Sequence, residues 1–425
     1  MTTRGHLDEC VHCGFCLPVC PTWINWGEEM DSPRGRIDLL RGVRDGKLEL
    51  DGKVALHLDR CLGCMACMTA CPSGVRYDLV IEEARAQREQ AVSRGLFDRL
   101  HRAALFWLFP YPRRLRLAAA LLLLYSRSGL QWLLRASGLL RLVSVRLATL
   151  DALAPRIGTA SLASGLPARL AAAGERRARV GLVTGCVQGV FFPNVNAATA
   201  RVLVAEGCEV VVPPGQGCCG ALSTHAGRLD EARRLVRGLI ERFEAVEIDL
   251  VVINSAGCGS HLKDCERLFA GDVFQPRAAA FARKVRDVNE LVDSLPPRAV
   301  RHPLQARVAY HSPCHLGHAQ RLNAPPRALL RAIPGLELVE IADGDQCCGS
   351  AGIYNLVQPA SAGQIGARKA AAVQATGAAW LASANPGCTL HIQRQLRERG
   401  ATIQAAQPIE ILDASIRGAS EPGGD

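Results

Sequence analysis

CVHCGFCLPVCP, residues 10–21, places four cysteines and a proline within twelve residues, and CLGCMACMTACP, residues 61–72, repeats the arrangement. Neighbouring Cys-x-x-Cys pairs make strained disulfides, and the opening MTTRGHLDEC lacks the apolar stretch of a secretory signal, so the chain is expected in the reducing cytoplasm. Cysteines there serve mostly as metal ligands or catalysts. A closed tetrahedral zinc site is the first rival. The third cysteine of each tight run argues against it. In CxxCxxCxxxCP, three thiolates grip one [4Fe-4S] cluster and the fourth, just before proline, reaches the other. Cys10, Cys13, Cys16 and Cys71 are therefore assigned to a first [4Fe-4S] cluster, and Cys61, Cys64, Cys67 and Cys20 to a second. Forty residues separate Cys20 from Cys61 and include the helix-forming PRGRIDLLRGVRDGK. That spacing points to a helical two-cluster ferredoxin module, the kind that relays electrons within larger enzymes.

A chain of 425 residues has room for two or three domains with real cores. Its hydrophobic fraction of 48% fits a globular protein, and eighteen cysteines exceed what packing needs. The net charge of +10 comes almost wholly from scattered arginines. No basic run is interleaved with aromatics, so no nucleic acid partner is expected. An acidic subunit or an anionic membrane surface suits the charge better. Charge and apolar residues concentrate between His101 and Ala154, where the longest uncharged run, Leu117 to Ser126, has ten residues. A spanning helix needs about twice that, so none is expected. Three readings of these basic amphipathic helices stay open: burial in the chain's own fold, packing on a partner, or lying in a membrane interface.

From Arg179 onward, strands and helices alternate. RVGLVTGC, CEVVVPP and IDLVVINSAGC read as buried strands, and the order recurs as ARVAYHSPC, LELVEIA and AAWLASANPGC. Cysteines keep the register. Cys186 answers Cys314 at 128 residues, Cys218 and Cys219 answer Cys347 and Cys348 at 129, and Cys258 answers Cys388 at 130. This is a duplicated α/β unit. Its cysteines follow strands, so they should gather at the carboxyl edge of a parallel sheet, where such sheets bind ligands. Following helix N-termini would favour the thiolates. Gly220 and Gly349 are expected to let the backbone approach a bulky inorganic centre.

In these motifs the chain resembles the iron–sulfur subunit of glycolate oxidase (glycolate dehydrogenase). The wider group includes the iron–sulfur subunit of anaerobic glycerol-3-phosphate dehydrogenase and the Cys-Cys-Gly subunit of heterodisulfide reductase. CVHCGFCLPVCPTW, SPRGRIDLL, LDRCLGCMACMTACPSGVRYDLV, NVNAATARVL, GCCGAL, SAGCG, HSPCHLGHAQRLN and CCGSAGIYNL carry the resemblance nearly end to end. It implies an α+α/β protein: a helical ferredoxin domain with two [4Fe-4S] clusters over 1–95, a basic amphipathic helical linker over 96–178, and Cys-Cys-Gly domains over 179–298 and 299–425. It also implies an electron-transfer subunit that receives electrons from FAD-binding partner subunits, where the 2-hydroxy acid is oxidised. Those electrons would pass towards a quinone, with the chain peripheral on the inner face of the cytoplasmic membrane.

Where heterodisulfide reductase relatives end each unit in CxxC, this chain has CGSH, Cys258 to His261, and CTLH, Cys388 to His391. A further iron–sulfur centre on Cys186, Cys218, Cys219, Cys258 and His261, or on Cys314, Cys347, Cys348, Cys388 and His391, is one reading, since histidine ligates iron in Rieske centres. Four thiolates without histidine are a second, and metal-free structural or redox cysteines a third. His311, His315 and His318 flank Cys314, in either a proton-handling or a capping role. Cys208 and Cys265 read as ordinary buried thiols. No nucleophile–base pair, GxGxxG turn or zinc-protease motif appears, so no catalytic residue is expected in this chain. Lactate or glycerol-3-phosphate dehydrogenase complexes, a heterodisulfide-reductase-like complex, and a membrane-docking scaffold for flavin subunits remain as alternatives.

Overall fold

The structure, a computed structural model, describes residues 3–91, 94–155, 158 and 165–421; residues 156–157 and 159–164 of the expected linker lie outside that set. The N-terminal part is helical. Pro33–Arg44 begins where Ser32 accepts a hydrogen bond from the Gly35 amide at 3.0 Å and Pro33 fills the first turn. Gly52–Arg60 begins where Asp51 accepts from the amides of Lys53 and Val54. Their apolar stripes meet Tyr77–Ala91 over a small core of Leu7, Ile37, Leu58, Val80 and Ile81, which also contains Cys61 and Cys67.

Arg36 is fully buried beneath the cysteine loops. Its Nη2 reaches the buried carboxylate of Asp31 at 3.4 Å, and its Nε donates to the His57 carbonyl at 2.7 Å. Asp31 also receives His57 Nδ1 at 2.9 Å and Arg60 Nη1 at 2.7 Å. A buried charge survives only when paired in this way.

The linker is a run of helices, Leu96–Leu108, Pro112–Arg127, Leu130–Ala136, Leu139–Val143 and Val145–Leu153. Among the described residues no single helix is long and apolar enough to cross a membrane; Pro112–Arg127 and Leu130–Ala136 reach that only together, and they are bent by 70°.

The duplicated half forms two sheets. The first contains β1 (Arg169–Leu170), β2 (Ala178–Val183), β3 (Cys208–Val211), β4 (Leu250–Ile253) and β5 (Val285–Asp287), in the order β1-β3-β2-β4-β5. The second contains β6 (Ala306–His311), β7 (Leu336–Glu340), β8 (Trp380–Ser383) and β9 (Gln404–Ala406), in the order β7-β6-β8-β9. All neighbours are parallel except β1, which pairs antiparallel with β3. The shared order is the structural form of the sequence repeat. The first sheet starts earlier than the strand–helix alternation announces, because residues 169–170 belong to it. A single apolar core joins the units: Leu182, Val202 and Val210 from the first pack with Val308, Tyr310 and Leu412 from the second. Asp413 on the last helix, Pro408–Arg417, pairs with Arg201 at 2.7 Å across the same seam.

Candidate metal centres

None of the eighteen cysteines is in a disulfide. The ferredoxin loops are held by arginines acting on backbone carbonyls: Arg34 on His12, Arg41 on Cys10, and Arg85 on Cys61. This frees the thiols for other partners. Donors instead aim at sulfur, with the Gly63 amide 3.4 Å and the Tyr77 hydroxyl 3.8 Å from Cys61 Sγ. Burial alone pushes the Cys61 thiol up, but the guanidinium groups of Arg36 and Arg85 bring it below its ordinary value. Cys61, so supplied with donors and positive charge, fits iron–sulfur ligation, while burial pushes the thiols of Cys16, Cys64 and Cys67 up. The two assigned sets differ in exposure. Cys13 is exposed and Cys10, Cys16 and Cys71 are partly so, whereas Cys20, Cys61, Cys64 and Cys67 are all buried. Cys20 lies within electrostatic reach of Cys64 and Cys67, and of Cys16 as well, so the two sets adjoin.

The cysteines of each Cys-Cys-Gly unit gather at the carboxyl edge of its sheet. In the first unit Cys186 follows β2, Cys218 and Cys219 follow β3, and Cys258 opens the helix Ala256–Lys263 after β4. Cys186 Sγ donates to Cys218 Sγ at 3.5 Å, which, with the Gly220 amide, holds Cys218 well below the ordinary thiol value. Cys186 and Cys219 are pushed up by their contacts with it. The second unit repeats the chain of contacts, from Cys314 to Cys347, Cys348 and Cys388, and Asn385 Nδ2 donates to Cys388 Sγ at 3.3 Å. A string of touching thiols, one of them readily ionised, suits a metal centre better than core packing does.

The histidines divide. His261 is buried behind Gly220, with Nε2 3.5 Å from Thr224 Oγ1. His391 Nε2 donates to the Ala362 carbonyl at 3.1 Å. Burial pushes both rings down to about 4. His318 ties two domains together, bonding Thr69 Oγ1 at 2.8 Å and the Asp345 carbonyl at 2.9 Å. The His315 ring lies 5.1 Å from that of His225, tilted by 57°, and His225 pairs with Glu82 at 3.3 Å. Nothing in the sequence around His225 or Glu82 announces this junction, because it joins the ferredoxin domain to both units across distant positions. His311 stands apart: its ring lies within 4.8 Å of the Cys348 and Cys388 sulfurs.

The glycines answer to a further demand beside the expected one. Gly220 and Gly349 have φ of +84° and +91°, and a Cβ there would point into the helix behind, 3.2 Å from the Ala232 carbonyl or 2.8 Å from that of Ala362. They also serve the turn and the packing of that helix. Gly349→Ala is expected to cost about 1–2 kcal/mol from the left-handed backbone alone, with a further loss from the contact. Denaturant unfolding checks this, and an unchanged midpoint would contradict it.

The thiols share one space. A cavity of about 990 Å³ is lined by Cys186, Cys218, Cys314 and Cys348, reaches Cys61 on the ferredoxin side, and is walled by linker leucines such as Leu122 and Leu134. Cys64 packs in one buried cluster with Cys314 and Cys347.

Comparison with known proteins agrees with this layout. The family described as "4Fe-4S dicluster domain" matches residues 6–75, "Glycolate oxidase iron-sulfur subunit, linker region" matches 97–154, and "Cysteine-rich domain" matches 180–263 and 308–393. The chain is 40% identical to a probable glycolate oxidase iron-sulfur subunit of Bacillus subtilis, over 96% of this chain and 94% of that one. It is 33% identical to the glycolate oxidase iron-sulfur subunit of Escherichia coli, over 91% and 89%. A lactate utilization protein A of Exiguobacterium is 31% identical over 56% of this chain and 98% of its own. Among solved structures, a hypothetical protein from Helicobacter pylori superposes with a TM-score of 0.52 at 9% identity, over 97% of this chain and 72% of that one, a likeness of fold alone.

Proposed function

The chain belongs to the glycolate oxidase iron–sulfur subunit family, and from that premise we propose that it carries electrons from FAD-binding partner subunits, which oxidise glycolate, towards a membrane quinone. Iron–sulfur clusters, when bound, take up and release single electrons. The arrangement of thiols supports the proposal, and the observation that carries it is Cys64 buried against Cys314 and Cys347. The exposed Cys13 belongs to one ligand set and the buried Cys64 to the other, and Cys64 shares its cluster with Cys314, which lines the cavity. Val11 and Phe15, 67% and 63% exposed beside Cys13, offer an apolar landing for a flavoprotein. In this reading the Cys-Cys-Gly units hold further iron, on Cys186, Cys218, Cys219 and Cys258 and on Cys314, Cys347, Cys348 and Cys388. The test is reconstitution with the flavin subunits. Glycolate should then reduce a quinone analogue only when this chain is present, and reduction without it would contradict the relay. The likeness to a lactate utilization protein supports a second reading with lactate as donor, decided by which acid reduces the complex.

The linker favours the membrane over a partner among the readings left open. Leu117, Leu121, Leu124, Leu142 and Trp132 are exposed. Between residues 96 and 154 stand nine arginines and only two aspartates, a net of +7 against +10 for the whole chain. Both aspartates are already paired, Asp98 with Arg94 and Arg146 and Asp151 with Arg135. An apolar face rimmed by uncompensated arginine matches an anionic bilayer surface. Inner leucines of the same helices wall the cavity, as suits a lipid-soluble acceptor. Leu121→Gln with Leu124→Gln and Trp132→Gln should weaken binding to phosphatidylglycerol vesicles by tenfold or more, at roughly 1.5–3 kcal/mol per buried apolar side chain. Equal binding of variant and wild type in a vesicle-sedimentation assay would reject this face.

A further inference from the structure

We infer that His311 is a ligand of the metal centre in the second Cys-Cys-Gly unit, an assignment that rests on the reading that this unit holds iron. His311 is the last residue of β6, at the carboxyl edge where the thiols collect, and is fully buried. One of its ring nitrogens, Cys348 Sγ and Cys388 Sγ all lie within 4.8 Å of one another. Both ring nitrogens are buried without a hydrogen bond. An imidazole taken out of water and given no partner is unfavourable, and a metal bond supplies what is missing. The Gly344 backbone lies beside the ring, and a carbonyl that takes the proton of one ring nitrogen orients the other towards a metal.

Comparison of the two units strengthens the case. The repeat register sets His311 against Val183, each the last residue of its strand. In the parallel ladders His311 pairs with Ser383 and Val183 with Ile253. Lys369, buried beside Cys347 and Cys348 with its Nζ 2.5 Å from the Asp343 carbonyl, stands where the first unit has the apolar Leu239 and Ile240. Three positions around one site are thus polar in the second unit and apolar in the first. A duplicated fold has no packing reason for that difference, whereas a centre with one nitrogen ligand and a compensating cation does. His391, by contrast, spends Nε2 on the Ala362 carbonyl and packs against Gly349 and Gly366.

The experiment is pulsed electron paramagnetic resonance on the full chain, purified without oxygen and labelled with ¹⁵N-histidine. Wild type should show a directly coupled histidine nitrogen. That coupling should be lost in His311→Leu and kept in His391→Phe. His311→Cys, which offers a replacement ligand and guards against a folding defect, should retain the iron yet lose the coupling. Coupling that survives both His311 variants overturns the assignment, as does wild type with iron well above the ferredoxin's about eight atoms and no coupled nitrogen. Iron that stops at about eight overturns the reading of the unit itself, and this ligand with it.

Discussion

Cys64→Ser is expected to lower the iron of the anaerobically purified chain by about four atoms, the content of one cubane cluster. Serine is a poor ligand for iron, and in the proposed assignment Cys61, Cys67 and Cys20 are already engaged, which leaves Cys64 no substitute within its set. The loss should spread inward. Cys64 is buried against Cys314 and Cys347, so the variant, mixed with flavin partners and glycolate, should leave the Cys-Cys-Gly units oxidised. Cys208→Ser is the control. Cys208 is fully buried on β3, outside both cysteine runs and the repeat, and its replacement should leave the iron content unchanged. Iron that is equal in Cys64→Ser and wild type would remove Cys64 from the ligands.

The second large effect is expected at Arg36. Arg36→Met removes the central partner of a buried network, leaving Asp31 with His57 and Arg60 alone. Breaking a buried pair from one side costs about 3–5 kcal/mol. The lower end applies here because two partners remain. The guanidinium also draws the Cys61 thiol down, so assembly of the second cluster should suffer beyond the loss of fold. Arg60→Met, which removes a side chain about one-third exposed, should cost only about 1 kcal/mol. Thermal unfolding of both variants, with iron counted alongside, tests the ranking. Equal losses would mean that Arg36 is an ordinary surface-type pair.

Much of this architecture is legible in the residues, and what is not has physical causes. β2, β4, β6 and β8 announce themselves as continuous apolar runs because both faces of a parallel strand are covered. β1, β5 and β9 do not. They have two or three residues each, RL, VRD and QAA, too short for any period to show. The gathering of Cys186, Cys218, Cys219 and Cys258 follows from strand ends and spacing, so it can be read in advance. Which histidine faces the thiols cannot. His261 and His391 repeat with the cysteines and attract attention for that reason, yet periodicity reports a shared place in the fold and not the direction of a ring. His311 breaks the repeat, and only its burial beside Cys348 and Cys388 shows what the break is for. Likewise the glycine of each Cys-Cys-Gly signals a positive φ in any reading, but the helix behind it becomes visible only in three dimensions.

The most direct test of the central claim is the count of iron and acid-labile sulfide per chain, taken with a redox titration followed by electron paramagnetic resonance on protein kept from oxygen. The account predicts about eight irons from the ferredoxin domain, in two clusters that reduce reversibly and couple magnetically, with further iron from the Cys-Cys-Gly units. Protein that carries zinc in place of iron, or iron that never changes oxidation state, would contradict it.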